Sequence, residues 1–189
     1  MANLFRKDQT EQDVPLKQTL REKYLNARHN ILLILVFTVI NVVLLITNSN
    51  TYFLFSAYVP YMIVDLGMLL CGMYPIEYYG TEFASLEFLG KGVFVAIMVI
   101  VAVILALYLL CWIFSKEITG WMVTALVFFC VDTAIMLLLN GIVSDMIIDL
   151  IFHGWVIFSL GSGISAYNKL KKLPAEEEVP VEPIAPEQL

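Results

Sequence analysis

Five long apolar runs constrain the fold of this 189-residue chain more than any other feature of its sequence. A helix needs roughly 20 residues to cross the hydrocarbon core of a bilayer, and backbone polar groups in lipid must be satisfied within the chain. The alternation of period two that is typical of membrane strands is absent. We therefore predict an all-α fold, a polytopic helical membrane protein with four to five membrane helices in a small bundle. The hydrophobic segments are 29–48, 52–73, 92–115, 121–139 and 144–170.

The composition agrees with a protein whose solvent is lipid. Hydrophobic residues make up 60% of the chain and charged residues only 15%, against about 25% in a typical soluble domain. No basic stripe with interleaved aromatic residues occurs, so nucleic-acid binding has no support. The partner that the composition does predict is the lipid bilayer itself.

The regions on either side of the membrane domain, which we place at 29–170, differ sharply from it in composition. Residues 1–28 form a leader that includes "VPLKQTLREKYLNAR", which has apolar residues at helical spacing among basic ones. It predicts a short basic amphipathic helix that binds anionic lipid headgroups, with a solvated leader as the alternative. Residues 171–189 are acidic and rich in proline, which predicts a disordered tail. Residues 74–91 mix tyrosine and phenylalanine with glutamate, which predicts an interfacial loop.

The distribution of basic residues favours four spans and one segment that turns back. If all five runs crossed the membrane, the basic leader and the Lys169–Lys172 cluster would lie on opposite sides. The positive-inside rule disfavours that arrangement. If 52–73 instead enters and returns to the same side, bent at Pro60, ten of the eleven Lys and Arg share one side. We thus prefer four spans with a cytoplasmic N-terminus, and five full spans remain the alternative.

Four carboxylates and an imidazole are the candidate functional residues. Asp65, Asp132, Asp149 and His153 fall inside apolar runs, and Asp145 lies at the start of the last run. The only Lys or Arg in those runs is Lys169, at the end of the last one, and an ionised acid in hydrocarbon costs at least several kcal/mol. These residues form a candidate buried polar set that could bind a proton or a cation.

The hairpin of the last two runs predicts a specific contact within this set. Its turn near Asn140 places Asp132 and His153 at similar depth, so we expect these two side chains to meet. Asp65 could line the same interior. Asp145 follows Ser144, which has the chemistry of a helix N-cap, so the helix dipole accounts for an acid there.

A metal site is a weaker hypothesis. Asp145, Asp149 and His153 recur at every fourth residue and would share one helix face, but metal sites usually draw ligands from several elements. The chain carries no Walker, zinc-protease or nucleophile-elbow motif, so we favour a protein that is not an enzyme and predict no cofactor. The "GSG" at 161–163 is typical of close helix packing, and the isolated cysteines are typical of small buried hydrophobic residues.

Three stretches carry a resemblance: "YFLFSAYVPYMIVDLGMLLCG", "LYLLCWIFSKE" and "DMIIDLIFHGWVIFSLGSGISAYNKLKKLP". Together they resemble a group of small, uncharacterised, multi-helix bacterial integral membrane proteins. The resemblance implies a helical protein of the plasma membrane and attaches no activity, cofactor or catalytic residue.

Three functions are consistent with the sequence. The first is a small structural or accessory subunit whose buried acids and histidine hold helices together, as a homo-oligomer or with a partner membrane protein. The second is a proton- or cation-coupled carrier that uses the buried set. The third is a membrane metalloenzyme.

Overall fold

The computed structural model describes residues 2–49, 51–79, 87–141 and 143–173, with side chains for all of these except 2–14 and 145. Within these ranges the regular structure is entirely helical. Four stretches are long and apolar enough to cross a membrane: Pro15–Ile46, Lys91–Phe114, Thr119–Asn140 and Ile147–Leu170. The predicted all-α, multi-pass helical fold is confirmed. The helices are α1 (Ala2–Ile46), α2 (Tyr58–Leu70), α3 (Ile76–Tyr79), α4 (Lys91–Phe114), α5 (Thr119–Asn140), a 3-10 turn (Ser144–Met146) and α6 (Ile147–Leu170).

The four long helices pack in a ring in the order α1, α4, α5, α6, and α6 closes the ring against α1. At one end, the ring of Tyr24 in α1 lies 4.7 Å from that of Tyr167 in α6. The Tyr24 hydroxyl also donates to the carbonyl of Ser115, directly after α4. We call this the basic end, because the basic part of α1, Lys116 and the lysines that close α6 lie there. The opposite end, where α1 finishes, is the far end.

Helices α1 and α6 approach each other very closely. A Cβ atom placed on Gly163 would lie only 2.3 Å from the Cβ of Ala27, so no larger residue fits at this crossing. One turn away, the side-chain amide of Asn30 donates to the Ser159 hydroxyl at 2.6 Å. The predicted small-residue packing therefore applies to Gly163, whereas a Cβ on Gly161 would meet no atom within 4 Å.

The segment after α1 turns back into the bundle. Helix α1 ends with Asn48 in a left-handed conformation, where Asn48 and Ser49 donate to the carbonyls of Leu45 and Leu44. From Thr51 to Ala57 the chain is non-helical, with bends at 54–56 and Phe55 in a left-handed conformation, and the N–H of Ala57 reaches the hydroxyl of Thr38. Thr38 lies eight residues, or about 12 Å, before the end of α1.

Helix α2 returns the chain to the far end. Its first residues lie beside Thr38, and its last turn packs with Leu45 of α1; Leu70, its final residue, accepts a backbone hydrogen bond from Leu89 just before α4. Both ends of the second apolar segment therefore lie at the same end of the bundle, as in the four-span interpretation. The reversal occurs at Ala57–Tyr58 and not at Pro60, which lies in the first turn of α2.

Two local expectations differ from the structure. The leader does not form a separate short helix: α1 runs without a break from Ala2 to Ile46, and Leu20, Tyr24 and Ala27 are buried in the bundle. Ser144 is not the N-cap of α6, because α6 begins at Ile147 after the 3-10 turn. The predicted disordered tail from residue 174 onwards and residues 80–86 of the interfacial loop lie outside the described residues.

Candidate functional site

The predicted contact between Asp132 and His153 is present at the centre of the bundle. His153 Nε2 lies 3.6 Å from Asp132 Oδ2, and the side chains are only 2% and 5% exposed. Asp132 lies in the middle of α5, and His153 lies in the second turn of α6. The separation exceeds a hydrogen bond and falls within ion-pair range.

Asp132 also binds the first turn of α2. Its Oδ2 accepts the N–H of Tyr58 and its Oδ1 accepts the N–H of Val59, both at 2.8 Å. The next residue, Pro60, has no N–H to satisfy. Because the first N–H groups of a helix have no partner within it, Asp132 supplies what the helix itself cannot, and its charge lies at the positive end of the helix dipole.

His153 is held in one orientation by its other ring nitrogen. Nδ1 lies 2.9 Å from the backbone carbonyl of Asp149, and since a carbonyl only accepts, Nδ1 must carry a proton. The ring stacks on Phe129, with centroids 4.8 Å apart and planes 11° from parallel. Nε2 is buried, and no hydrogen-bond partner reaches it within the described part of the chain. Nε2 therefore faces the Asp132 carboxylate without a hydrogen bond to it.

Three polar side chains that sequence reasoning missed complete this centre. Thr38 accepts the N–H of Ala57 at 2.8 Å. Asn41 accepts the N–H of Phe53 and donates to the Phe53 carbonyl, at 2.8 and 2.7 Å. The Asn41 amide also donates to Ser56 at 2.8 Å. These residues form hydrogen bonds with backbone groups of a non-helical segment inside the bundle. The spacing of Thr38 and Asn41 on one face of an apolar helix is the sequence signal that could have revealed them.

The bundle on the basic side of the pair is filled by apolar side chains. Met122, Phe129, Val156 and Leu160 are all 1% exposed or less. An apolar cavity of about 170 Å³ adjoins Asp132 between α4 and α5, with Tyr108 in its wall. The backbone N–H groups that bind Asp132 belong to the reversed segment, whereas Tyr108 of α4 lies beside Asp132 in the cavity wall.

The other predicted site residues do not join this centre through their carboxylates. Asp149 contributes its backbone carbonyl to His153, as described, and its side chain is partly exposed. Asp65 lies two turns along α2, towards the far end, where the hydroxyl of Tyr74 donates to it. The side chain of Asp145 lies outside the described residues. The expectation that Asp65 would line the same interior as Asp132 is therefore not met, because α2 separates them by about 10 Å along its axis.

No group of three metal-ligating side chains is found among the residues that the structure describes. His153 directs Nδ1 to a backbone carbonyl and Nε2 to Asp132, which belongs to another helix. The column of Asp145, Asp149 and His153 therefore gains no support as a ligand set from the described side chains.

Another constellation at the basic end involves Arg28. Its guanidinium donates to the Ser115 hydroxyl and to the Trp112 carbonyl, both at 3.1 Å. The last carbonyls of α4 have no partner within the helix, and a cation is favourable beside them. Arg28 thus joins α1 to the end of α4.

No protein-family model, curated protein or solved structure matches this chain. The chemistry of the site itself is therefore the basis for a functional proposal.

Proposed function

We propose that the protein is a small structural or accessory subunit of a membrane assembly, in which the Asp132–His153 pair holds helices α2, α5 and α6 together. The observation that supports this most directly is the use of both Asp132 oxygens by the backbone of α2. A side chain that uses both of its oxygens to hold a neighbouring helix has a structural role.

The physical requirement behind this role is strong in lipid. A backbone N–H left without a partner in an apolar medium costs about 2–7 kcal/mol. The reversed segment would leave several such groups unpaired, and Asp132, Thr38 and Asn41 satisfy them. His153 Nε2 faces the same carboxylate at 3.6 Å, and no Lys or Arg forms an ion pair with it among the described residues.

The packing towards the basic end argues against a transmembrane path through this pair. A proton carrier needs an alternating chain of polar groups or water on both sides of its central site. Here Phe129 covers the face of His153, and Val156 and Leu160 fill the next turn of α6.

One observation nevertheless favours a second candidate, a proton-coupled carrier. Among the residues that the structure describes, none forms a hydrogen bond with the buried His153 Nε2, which faces a carboxylate. A histidine beside a carboxylate can pass a proton, as a carrier of this kind would require. Unlike a structural subunit, a carrier would require the helices to move apart towards the basic end, so that a proton could pass on that side.

We place the basic end in the cytoplasm of a bacterial cell and the membrane as the plasma membrane. Lys17, Arg21, Lys23, Lys116 and Lys169 then lie inside, where anionic lipid headgroups would meet them, in agreement with the positive-inside rule. The lipid-facing sides of α4 and α6 expose large apolar residues, including Val95, Val99 and Phe158, which would contact lipid, a second copy or a partner membrane protein.

The two functions make opposite predictions for Asp132→Asn and His153→Ala. For a structural pair, both changes lower the yield of folded protein and the melting temperature. Breaking a buried pair reduces the free energy of unfolding by about 3–5 kcal/mol. Proteoliposomes of the wild type then show no proton or cation flux above empty vesicles. A pH-driven flux in the wild type that either variant abolishes while it remains folded would overturn the structural proposal. Asp149→Asn, which leaves the carbonyl contact to His153 in place, is the matched control.

A further inference from the structure

A cavity of about 580 Å³ opens at the far end, where the chain enters the bundle again after α1. We call it the vestibule. Its volume falls in the range of small-molecule sites, about 300–1,000 Å³. The aromatic and acidic residues that line it are Tyr52, Tyr61, Asp65, Tyr74, Glu77 and Tyr78, and Asn48, Ser49 and Thr51 add neutral polar groups.

The described lining of the vestibule is acidic. It contains Asp65 and Glu77, and none of the lining residues that the structure describes is a Lys or an Arg. Asp65 Oδ1 accepts the hydroxyl of Tyr74, whereas Oδ2 has no donor among the residues described. A carboxylate oxygen without a donor beside an open cavity is an acceptor that a ligand can use.

Tyrosine rings form the rest of the wall. The rings of Tyr52 and Tyr61 meet edge to face at 5.2 Å, and those of Tyr74 and Tyr78 stack at 4.4 Å. The face of such a ring is electron-rich and attracts cations. Burial raises the pKa of Tyr52 to about 12, and burial together with the hydrogen bond to Asp65 raises the pKa of Tyr74. Both rings therefore remain neutral phenols at physiological pH.

We propose that the vestibule binds an organic ammonium group, with the Asp65 carboxylate as its counter-ion and the Tyr52 and Tyr61 rings as its apolar contacts. An inorganic cation fits less well, because Ca²⁺ and Mg²⁺ bind through oxygen ligands, whereas four of the side chains that line the vestibule are tyrosines with large aromatic rings. Aromatic faces beside a carboxylate match a cation that carries carbon. This inference goes beyond the proposed function and does not depend on it.

Two sources could supply this group, since the vestibule lies at the end of the bundle where headgroups are expected. One is a free amine in solution, and the other is the headgroup of an aminophospholipid. Both present the same ammonium chemistry to Asp65.

Calorimetric titration of the full chain in phosphatidylglycerol nanodiscs, which contain no ammonium group, tests the site. Tetramethylammonium chloride is the probe, and sodium chloride at equal ionic strength is the control. We expect saturable binding of the organic cation alone. Asp65→Asn should weaken it by about tenfold, whereas Asp65→Glu should stay within about threefold of the wild type, since tenfold corresponds to about 1.4 kcal/mol for one lost charge contact.

Two further variants keep the test decisive. Glu77 is exposed, so Glu77→Gln should fold normally and still weaken binding by about threefold, whereas Glu117→Gln, at an exposed acid of the basic end, should leave it unchanged. The proposal is overturned if no saturable binding occurs, if sodium gives the same heat, or if Asp65→Asn binds as the wild type does. A weaker apparent affinity in phosphatidylethanolamine nanodiscs identifies the lipid headgroup as the occupant, and an unchanged affinity identifies a free amine; each supports the site.

Discussion

The hydroxyl of Thr38 accepts the backbone N–H of Ala57 at 2.8 Å, inside a bundle of apolar helices. The same hydroxyl donates to the carbonyl of Ile34 at 2.6 Å, one turn back in its own helix. Thr38 is completely buried, so no solvent could replace either contact. Because Thr38 satisfies the N–H of Ala57, a non-helical stretch of chain can lie inside the bundle.

Thr38→Val is therefore expected to destabilise the protein, because it keeps the shape of the side chain and removes the acceptor for Ala57. An unsatisfied buried donor costs about 1–3 kcal/mol, measurable as a lower melting temperature in detergent. Thr47→Val is the matched control, since Thr47 is exposed and its hydroxyl bonds only carbonyls of its own helix. Equal melting temperatures for the two variants would contradict the assigned role, and Thr38→Ser should restore most of the loss.

Gly163→Ala should separate helices α1 and α6. The added methyl group would lie 2.3 Å from the Cβ of Ala27, so the helices must move apart or tilt. Overpacking of this kind costs about 1–3 kcal/mol, which thermal unfolding would detect. Gly161→Ala, on the same helix with open space around it, should have little effect. Ala27→Gly in the Gly163→Ala background should recover stability, and the absence of any recovery would argue against this contact.

Cysteine labelling can test whether the second apolar segment turns back. In a chain whose own cysteines are replaced by alanine, single cysteines at Thr51 and Met73 should react with an impermeant maleimide from the same side of the membrane. A cysteine at Leu173, at the basic end, should react from the other side. Labelling of Thr51 and Met73 from opposite sides would establish a full span and refute the reversal.

The stability of the protein should fall at alkaline pH partly through Tyr52. In the folded state its pKa is raised to about 12, chiefly by burial, whereas an unfolded chain releases this proton near its ordinary value of about 10. Stability is thus fully present below pH 10 and is lost as the pH rises towards 12. Tyr52→Phe should make the fall of melting temperature across this window shallower, and the exposed Tyr78→Phe should not. Identical slopes in all three proteins would rule out this contribution.

The fold class and the central pair could be predicted from the sequence because both follow from lipid as a solvent. Apolar length identifies the four long helices together with a fifth run, which forms the shorter helix α2, and the tight turn near Asn140 fixes the relative depth of Asp132 and His153. The reversal of the second segment was likewise favoured by the distribution of basic residues. Its position at Tyr58 was not predictable from Pro60, since a proline in the first turn of a helix is as compatible with a start as with a bend.

Other details depend on contacts between distant parts of the chain. Thr38 and Asn41 could each have satisfied its own helix backbone, and nothing local shows that they bind residues 12 to 19 positions further on. Asp65 lies away from Asp132 because α2 runs back towards the far end. The apolar periodicity of the sequence does not specify that direction. The leader continues into the first span because Leu20 and Tyr24 pack against helices that occur much later in the sequence.

The dependence of α2 on Asp132 also has a consequence for biosynthesis. The amides of Tyr58 and Val59 bind a carboxylate that lies 74 and 73 residues further along the chain. When the reversed segment leaves the ribosome, that carboxylate has not yet been translated. The segment must therefore wait at the membrane surface or within the translocon until α5 has been inserted, so that the order of synthesis and the order of assembly differ.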